Sequence, residues 1–313
     1  MLTLKRQPGT YLFFIIINFV TRCFVYLFID PVNLLLNYRH STHAGNFADV
    51  IKHIVVIDCL EQLAKQDRPI AYIDTHAGAG LFELTPEHAV KAQKYSNGIA
   101  KLKPGDWPEL ASYFSVVQLL NKNGSLGYYP GSPVLAQCML SDDDEAWLYE
   151  LQAEEFELLQ VNIGHDRRIR LHQQDGYSGL HDTLASISGR AVFVLVDPPY
   201  ESDTDYDSVV EAVSCAYKMS ATGTYAVWYP VVDRKRIVRL EKKLISSGIR
   251  NIQRYELGIT SDNEQEGMTA AGMIVINPPR VLMNRMTLLL PRLLDTLAKD
   301  DGASYSCDVL AAE

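Results

Sequence analysis

The stretch that decides the fold is AVFVLVDPPY, residues 191–200. Its first six residues form a continuous apolar run rich in β-branched side chains, which is typical of a central parallel strand. The two prolines that follow cannot continue a strand, so the chain must leave the sheet there, at the strand's carboxyl end. Open α/β sheets bind their ligands at that edge. The stretch therefore predicts a ligand site that contains Asp197, Pro198 and Tyr200.

These three residues suit a planar group that carries an exposed amino group. The Asp197 carboxylate and the Pro198 carbonyl can each accept one amino hydrogen, and the Tyr200 ring can stack on the plane. An ordinary strand-to-turn exit would use the same residue types, because Pro and Asp are common in turns. Alone, the stretch leaves both interpretations open.

A second strand runs into a small-residue turn at YIDTHAGAG, residues 72–80. Gly78 and Gly80 allow the backbone to pass close to a ligand. The third glycine of the dinucleotide fingerprint is replaced by Glu83, which argues against NAD. Asp74, three spacers and Gly-x-Gly together resemble the motif that binds S-adenosylmethionine in class I methyltransferases. With Asp-Pro-Pro-Tyr downstream, the pair resembles the enzymes that methylate exocyclic amino groups of bases.

Longer blocks narrow this resemblance to one bacterial family. The chain is similar to RlmJ, the family that methylates N6 of an adenine in 23S ribosomal RNA. The similar blocks keep the family's order and lie at residues 38–53, 74–80, 128–133, 226–231 and 267–279.

The resemblance implies a Rossmann-like class I methyltransferase fold of the α/β class. We expect a mostly parallel seven-stranded sheet with helices on both faces, and the alternation of strand and helix patterns agrees. Residues 37–83 and 127–313 are expected to form the catalytic domain. Residues 84–126 have no buried-strand pattern and are punctuated by prolines, so we expect a small helical insertion that contacts the substrate.

The resemblance also implies S-adenosylmethionine as cofactor and 23S ribosomal RNA as partner. Glu150 ends the second strand and can accept hydrogen bonds from both ribose hydroxyls, although it could instead cap a helix. The segment Asp175–Gly176 follows the third strand and is expected near the adenine end of the cofactor. The expected cofactor contacts are His53, Asp74, His76, Gly78, Gly80, Ser132, Glu150, Asp175 and Gly176. The expected RNA contacts are Tyr38, His40 and Lys52, and ordinary surface roles remain the alternative for Tyr38 and Lys52.

Composition limits the other classes of function. Five cysteines without CxxC spacing favour a reducing cytoplasm over a disulfide framework or a zinc ribbon, and no metal is expected. A net charge of −9 is unfavourable for phosphate binding, but residues 234–254 contain a basic segment that is a candidate RNA surface. We expect a monomer.

Residues 1–36 are an apolar extension with no counterpart in the family. The run at residues 11–29 is nearly long enough to span a bilayer, and Lys5 and Arg6 precede it. We expect that the extension comes from an upstream start site and that translation begins near Leu35. The alternative is a membrane anchor.

Three other functions share parts of this pattern. A DNA adenine methyltransferase would carry both motifs, but also a basic target-recognition domain that the sequence lacks. A protein glutamine methyltransferase typically has Asn before Pro-Pro-Tyr. A non-catalytic RNA-binding relic of the fold would lose the acceptor at 197 or the aromatic ring at 200, and both are present.

Overall fold

The computed structural model describes residues 44–84, 95–262 and 267–313. The apolar extension, Tyr38 and His40 lie outside these ranges. Among the described residues, none of the helices combines the length and the apolar character that a membrane crossing requires.

The described part of the chain alternates helices and strands. The helices are α1 (Phe47–Leu63), α2 (Ala111–Leu120), α3 (Ser132–Met139), α4 (Ala153–Ile163), α5 (Gly176–Ser186), α6 (Asp203–Met219), α7 (Arg234–Ser246) and α8 (Leu282–Leu297). The strands are β1 (Ile70–Asp74), β2 (Leu81–Glu83), β3 (Tyr128–Pro130), β4 (Glu145–Tyr149), β5 (Ile169–His172), β6 (Ala191–Val196), β7 (Thr224–Val231), β8 (Ile252–Gly258), β9 (Ala270–Ile276) and β10 (Ser304–Ala311). Three short 3-10 helices lie at Ile99–Lys101, Pro104–Asp106 and Pro108–Leu110.

A central sheet has the strand order β10-β8-β9-β7-β6-β1-β4-β5. The five strands from β7 to β5 in this order are parallel to one another. Strand β9 is antiparallel to both of its neighbours, and β10 is antiparallel to β8. The predicted mostly parallel sheet is therefore confirmed. The chain builds the sheet outward in opposite directions from the β1–β6 pair, which makes that pair the switch point where such sheets bind ligands.

Strand β6 explains why helices cover both faces of the sheet. All six of its residues are buried. Phe193 and Leu195 join the apolar cluster that contains α1, whereas Val192, Val194 and Val196 join the cluster that contains α6 and α7. Side chains alternate between the two faces of a strand, so an unbroken apolar run requires cover on both sides.

Helix α1 begins directly after a capping residue, Asn46. The side-chain oxygen of Asn46 accepts hydrogen bonds from the Ala48 and Asp49 amides at 2.9 and 3.0 Å. Such a cap satisfies backbone donors that the first turn of a helix leaves unpaired. The cap sets where α1 starts, and α1 in turn carries Lys52 to the edge of the sheet.

The structure adds elements that the sequence patterns do not predict. Strand β10 extends the predicted seven strands by an eighth at the sheet's edge. Helix α8 covers part of the same core although it contains Pro291. A separate two-stranded sheet, β2 with β3, joins the two ends of the predicted insertion.

The described part of the insertion is helical, as expected. Its main element is α2, whose buried Tyr113, Phe114 and Val116 belong to the same apolar cluster as α1. The described part of the insertion therefore packs on the apolar core that covers one face of the central sheet.

Candidate active site

The predicted site residues meet at one edge of the sheet. Strands β6, β1, β4 and β5 are parallel neighbours, so their carboxyl ends lie side by side. An acidic residue stands at or just beyond each end: Asp197, Asp74, Glu150 and Asp175. This edge also contains the switch point at which open α/β sheets bind ligands.

Asp197 is held by a lysine of α1. The Lys52 ammonium donates to Asp197 Oδ2 at 2.7 Å and lies 2.8 Å from Asp49 Oδ1. The side chains of Lys52 and Asp197 are only 11% and 16% exposed. The ring of Trp228 lies 5.6 Å from the same ammonium. Lys52, for which RNA contact is predicted, thus has its charge at the predicted acceptor inside the site.

This cluster is strongly charged. Burial disfavours the charge on Lys52, but the Asp197 and Asp49 carboxylates outweigh it and hold the pKa of the ammonium above its ordinary value. Burial raises and Lys52 lowers the pKa of the Asp49 carboxyl, and the net shift is downward. Asp197 Oδ1 accepts no hydrogen bond from the described residues. Within the described ranges, one oxygen of Asp197 is therefore bonded to Lys52 and the other has no hydrogen-bond donor.

Tyr200 is fixed at both ends. Its backbone has φ of +51°, which is uncommon for a bulky residue. Its hydroxyl donates to the Trp228 carbonyl of β7 at 2.6 Å, and its ring centroid lies 4.6 Å from that of Tyr206. The ring is 6% exposed. Pro198 is buried beside it, and Pro199 is exposed.

The turn after β1 leaves open space above one glycine. Gly78 and Gly80 have φ of +59° and +77°, which favour glycine. A Cβ added to Gly78 would meet no atom nearer than the Phe82 ring at 4.0 Å, whereas one added to Gly80 would lie 3.1 Å from Leu159. The predicted close approach of a ligand to the backbone thus fits Gly78, and Gly80 packs against the protein itself.

Glu150 is tied to this turn. Its Oε2 accepts from the Gly78 amide at 2.9 Å, and its Oε1 accepts from the Gln152 amide at 2.7 Å. A carboxylate oxygen has more than one acceptor site, so each oxygen can still accept from a ligand hydroxyl. The two acceptor oxygens of Glu150 fit the predicted contact with the ribose hydroxyls.

Asp74 lies beneath the turn and is completely buried. Its Oδ2 accepts from the Ser132 hydroxyl at 2.7 Å and from the Tyr72 hydroxyl at 2.9 Å, and its Oδ1 accepts from the His76 amide at 3.2 Å. Burial raises the pKa of Asp74 to about 6, and the bonds from Ser132 and Tyr72 oppose that shift. In the structure, Asp74 and Ser132 support the turn from below.

The start of α5 is pressed against the β1 turn. Asp175 caps this helix by accepting from the Ser178 amide at 2.8 Å. A Cβ added to Gly176 would lie 1.8 Å from the Thr75 carbonyl oxygen, so no side chain fits there. The His76 and Tyr177 rings meet edge to face with centroids 5.2 Å apart, and burial lowers the pKa of His76. The cofactor turn and the α5 segment thus form one packed unit.

His53 lies deeper than the other predicted contacts. Its ring is 1% exposed and stacks on Tyr129 with centroids 5.4 Å apart. Its Nδ1 lies 2.9 Å from the Tyr129 hydroxyl. Burial lowers the pKa of His53 to about 3, so the imidazole is neutral at physiological pH.

Sequence reasoning missed several residues that shape the site. Asp49 could have been found, because it lies three positions before Lys52 on one helix and such pairs are neighbours on the helix surface. Trp228, Tyr129 and Tyr177 carry no motif of their own. Their positions depend on contacts between distant segments, which no local spacing reveals.

The basic segment at residues 234–254 is largely neutralised by neighbouring carboxylates. Arg239 and Lys243 pair with Asp207 at 3.0 and 2.5 Å. The same segment forms further ion pairs: Arg234 with Glu256 and Asp262, Arg236 with Asp203, and Arg254 with Glu241 and Asp308. The negative charges that face α7 weaken its candidacy as an RNA surface.

No group of three or more His, Cys, Asp or Glu side chains in the described ranges is arranged to hold a metal ion.

Comparisons with known proteins give a consistent result. Residues 67–308 match the family described as "Ribosomal RNA large subunit methyltransferase D, RlmJ". The chain is 46% identical to "Ribosomal RNA large subunit methyltransferase J" of Escherichia coli K12, over 82% of this chain and 92% of that protein. It is 41% identical to the protein of the same name from Haemophilus influenzae, over 89% of this chain and the whole of that protein.

A solved structure agrees. A crystal structure of a Legionella pneumophila protein superposes with a TM-score of 0.77 and 32% identity, covering 85% of this chain and 98% of that one. With the matched family and the two relatives, this resemblance covers both the sheet and the edge where the acidic residues meet. The chain belongs to the RlmJ family of ribosomal RNA large subunit methyltransferases.

Proposed function

We propose that this protein transfers a methyl group from S-adenosylmethionine to N6 of an adenine in 23S ribosomal RNA. The observation that carries the proposal is the Asp197 carboxylate at the end of β6, with Oδ2 bonded to Lys52 and Oδ1 open to a donor. Family membership supports ribosomal RNA as the substrate class. Such a substrate is found in the cytoplasm.

Asp197 orients the amino group of the target base. The lone pair of that nitrogen is delocalised into the ring, which makes it a poor nucleophile. Asp197 Oδ1 and the Pro198 carbonyl can each accept one amino hydrogen, which favours a pyramidal nitrogen. Its lone pair then points out of the base plane. Holding the nucleophile in this orientation can supply a large share of the reduction in the barrier.

Lys52 keeps Asp197 in place for this task. Its ammonium bonds one carboxylate oxygen and leaves the other directed elsewhere. Tyr200 follows two residues after Pro198, and its ring is fixed by the bond to Trp228, so it offers a defined surface beside the acceptor. The target base must leave its stack to reach this surface, at a cost of a few kcal/mol.

The edge beyond β1, β4 and β5 fits the cofactor. Gly78 leaves open space at the backbone, Glu150 retains acceptor sites for ribose hydroxyls, and Asp175 with Gly176 lies next along the edge. When bound, S-adenosylmethionine supplies an electrophilic methyl group on a sulfonium. We propose that the insertion at residues 84–126 contacts the RNA, together with Tyr38 and His40.

The test is methylation of defined nucleic acids. The purified protein is incubated with labelled S-adenosylmethionine and 23S ribosomal RNA from a strain that lacks the enzyme, and mass spectrometry locates the mark. We expect N6-methyladenine at one position. Duplex DNA of matched sequence is the control, and label in DNA but not in RNA would overturn the proposal.

A further inference from the structure

The insertion is bonded to the start of α1. The Gly45 carbonyl accepts from the Ile99 amide at 2.9 Å, and Asn46 forms a single β-bridge with Gly98. A Cβ added to Gly98 would lie 2.0 Å from the Gly45 carbonyl oxygen, so the two backbones are in direct contact and no side chain fits between them. This part of the insertion therefore has a fixed position on the helix that carries Lys52.

Three consecutive polar contacts lead from this junction to Asp197. The Gly45 amide donates to Asp49 Oδ2 at 2.9 Å. The Lys52 ammonium lies 2.8 Å from Asp49 Oδ1 and donates to Asp197 Oδ2 at 2.7 Å. The residues of the insertion that contact Gly45 therefore lie at the rim of the candidate site.

Two lysines that follow this junction share one side of the chain. Leu102 separates Lys101 from Lys103 and has φ of −92° and ψ of 113°, which is extended backbone. Side chains alternate in extended backbone, so both lysines point away from the side on which Leu102 is buried. Lys101 is half-buried and Lys103 is exposed. Neither forms an ion pair with another described residue, so the insertion presents two adjacent positive charges here.

Helix α8 anchors the insertion beyond these lysines. The Arg292 Cζ atom lies 4.3 Å from the centre of the Trp107 ring, and Arg292 also donates to the Asp106 carbonyl at 2.6 Å. Arg285 donates to the Glu109 carbonyl at 3.0 Å. The backbone that carries the lysines is thus held on both sides. A partner can bind there at little cost in backbone ordering, which favours affinity.

The rim of the candidate site has opposite charges on its two sides. Residues 98–103 contain two lysines and no carboxylate, whereas residues 201–207, which follow Tyr200 directly, contain four carboxylates and no cation. Where α7 supplies cations to this second side, they pair with these carboxylates. A phosphate backbone is attracted to free positive charge and repelled by negative charge. The insertion is therefore the side over which an RNA strand fits.

We propose that Lys101 and Lys103 bind phosphates of the RNA strand that carries the target adenine. This inference rests on the proposed function and names the contacts that the insertion makes. A lysine ammonium is a point charge with three donors, which suits a phosphate and reads no base. Phosphate contacts of this kind supply affinity and fix the register of the strand. The two lysines thus hold the strand, while Asp197 and Tyr200 act on the base.

The test is the salt dependence of RNA binding. Filter binding compares the double variant Lys101→Gln/Lys103→Gln with the unaltered protein on 23S ribosomal RNA from a strain that lacks the enzyme. Loss of two phosphate contacts to a single strand should reduce the slope of log affinity against log salt by about 1.4. The loss of affinity should therefore be about sevenfold larger at 50 mM salt than at 200 mM. Calorimetry should give an unchanged affinity for S-adenosylmethionine, which shows that the variant is folded.

Two control variants separate a direct contact from a general effect of charge. Lys101→Arg/Lys103→Arg keeps both charges and should keep the slope. Lys65→Gln/Lys218→Gln removes the same charge from exposed positions where α1 and α6 end, at the opposite edge of the sheet, and should also keep the slope.

The outcomes distinguish this inference from the proposed function. An equal slope in Lys101→Gln/Lys103→Gln and Lys65→Gln/Lys218→Gln would overturn the phosphate contacts, even if the unaltered protein methylates the RNA. Failure of the unaltered protein to bind the RNA would overturn the proposed function, and the inference with it.

Discussion

Lys52 Nζ lies 2.7 Å from Asp197 Oδ2, although 145 positions separate the two residues in the sequence. The contact joins the first described helix to the turn that follows the central strand. The ammonium bonds one oxygen of the carboxylate, and the other oxygen accepts no hydrogen bond from the described residues, which is the oxygen that we propose holds the substrate. Both members of the pair can be tested separately.

Removing the acceptor should stop the chemistry and spare cofactor binding. Asp197→Ala is expected to lower the turnover rate by at least about 100-fold, because the target amino group loses its orienting partner. Affinity for S-adenosylmethionine should stay within a few-fold, since no cofactor contact is assigned to this side chain. Single-turnover assays and calorimetry measure the two quantities. Turnover at the unaltered rate would refute the acceptor role.

Removing the cation should cost stability as well as activity. Lys52→Met leaves two partly buried carboxylates, Asp49 and Asp197, without their partner, and breaking such a pair costs about 3 kcal/mol of unfolding free energy. Urea unfolding measures this loss. Lys52→Arg keeps the charge and is the matched control, with a smaller expected loss. If Lys52→Met were as stable as Lys52→Arg, the ion pair would not hold the site together.

Replacing Gly78 should weaken cofactor binding, whereas replacing Gly189 should not. Gly78→Ala places a methyl group in the open space above the cofactor turn and should weaken S-adenosylmethionine at least tenfold. Its folding cost is about 1 kcal/mol, from the positive φ alone. Gly189→Ala is the matched control, because Gly189 has φ of +71°, open surroundings and a position before β6. It should show the same folding cost and unchanged affinity. Equal affinities in both variants would place the cofactor elsewhere.

His53 should make the fold sensitive to acid. An unfolded histidine protonates near pH 6.5, whereas burial lowers the pKa of His53 in the folded protein to about 3. Above pH 6.5 the ring is neutral in both states and has no effect. As the pH falls from 6.5 towards 3, only the unfolded state binds the proton, so stability is lost. The loss at pH 5 is about 2 kcal/mol relative to pH 7.

Two carboxyl groups change the stability in the opposite sense as the pH falls. The effect of His53 must therefore be measured as a difference between a variant and the unaltered protein. Burial raises the pKa of Asp58 and Asp74 to about 6, so acid protonates them first in the folded state and favours folding. We therefore predict the difference between His53→Gln and the unaltered protein, which should shift in favour of the variant by about 2 kcal/mol between pH 7 and pH 5. A stability difference that stays constant between pH 7 and pH 5 would contradict this prediction.

The basic helix should contribute little to RNA binding. Arg239 and Lys243 already pair with Asp207, so replacing both by Gln should change the salt dependence of RNA affinity only slightly. Two direct phosphate contacts would instead reduce the slope of log affinity against log salt by about 1.4 for a single strand. Filter binding over a salt series measures the slope. A reduction of that size would restore α7 as an RNA surface.

The sequence predicts the elements whose patterns are strong and local. The unbroken apolar run of β6 is confirmed as a central strand, because burial on two faces leaves a clear local pattern. Strand β10 was missed because it lies at an edge, pairs on one side and alternates polar residues such as Ser304 and Ser306. Helix α8 was also missed, because it contains Pro291 and proline disfavours a helix interior.

The site was predictable only in part. The acidic residues at the strand ends follow from the sheet, because parallel strands place their carboxyl ends together. The pairing of Lys52 with Asp197 and the stacking of His53 on Tyr129 depend on tertiary contacts, which sequence spacing does not encode. Family resemblance selects Lys52 and His53 as important but does not say which atoms they contact.

The crowded start of α5 contrasts a glycine that packing requires, Gly176, with a glycine that has room for a side chain, Gly78. Gly176 has no room for a methyl group whatever the protein binds, so the fold of this chain requires a glycine there. Gly78 has room, and a residue that tolerates a positive φ, such as asparagine, would be accepted by the fold alone. A library selected only for folding should therefore fix position 176 and diversify position 78. A library selected for methylation should fix both, and the contrast would mark which glycines serve the ligand.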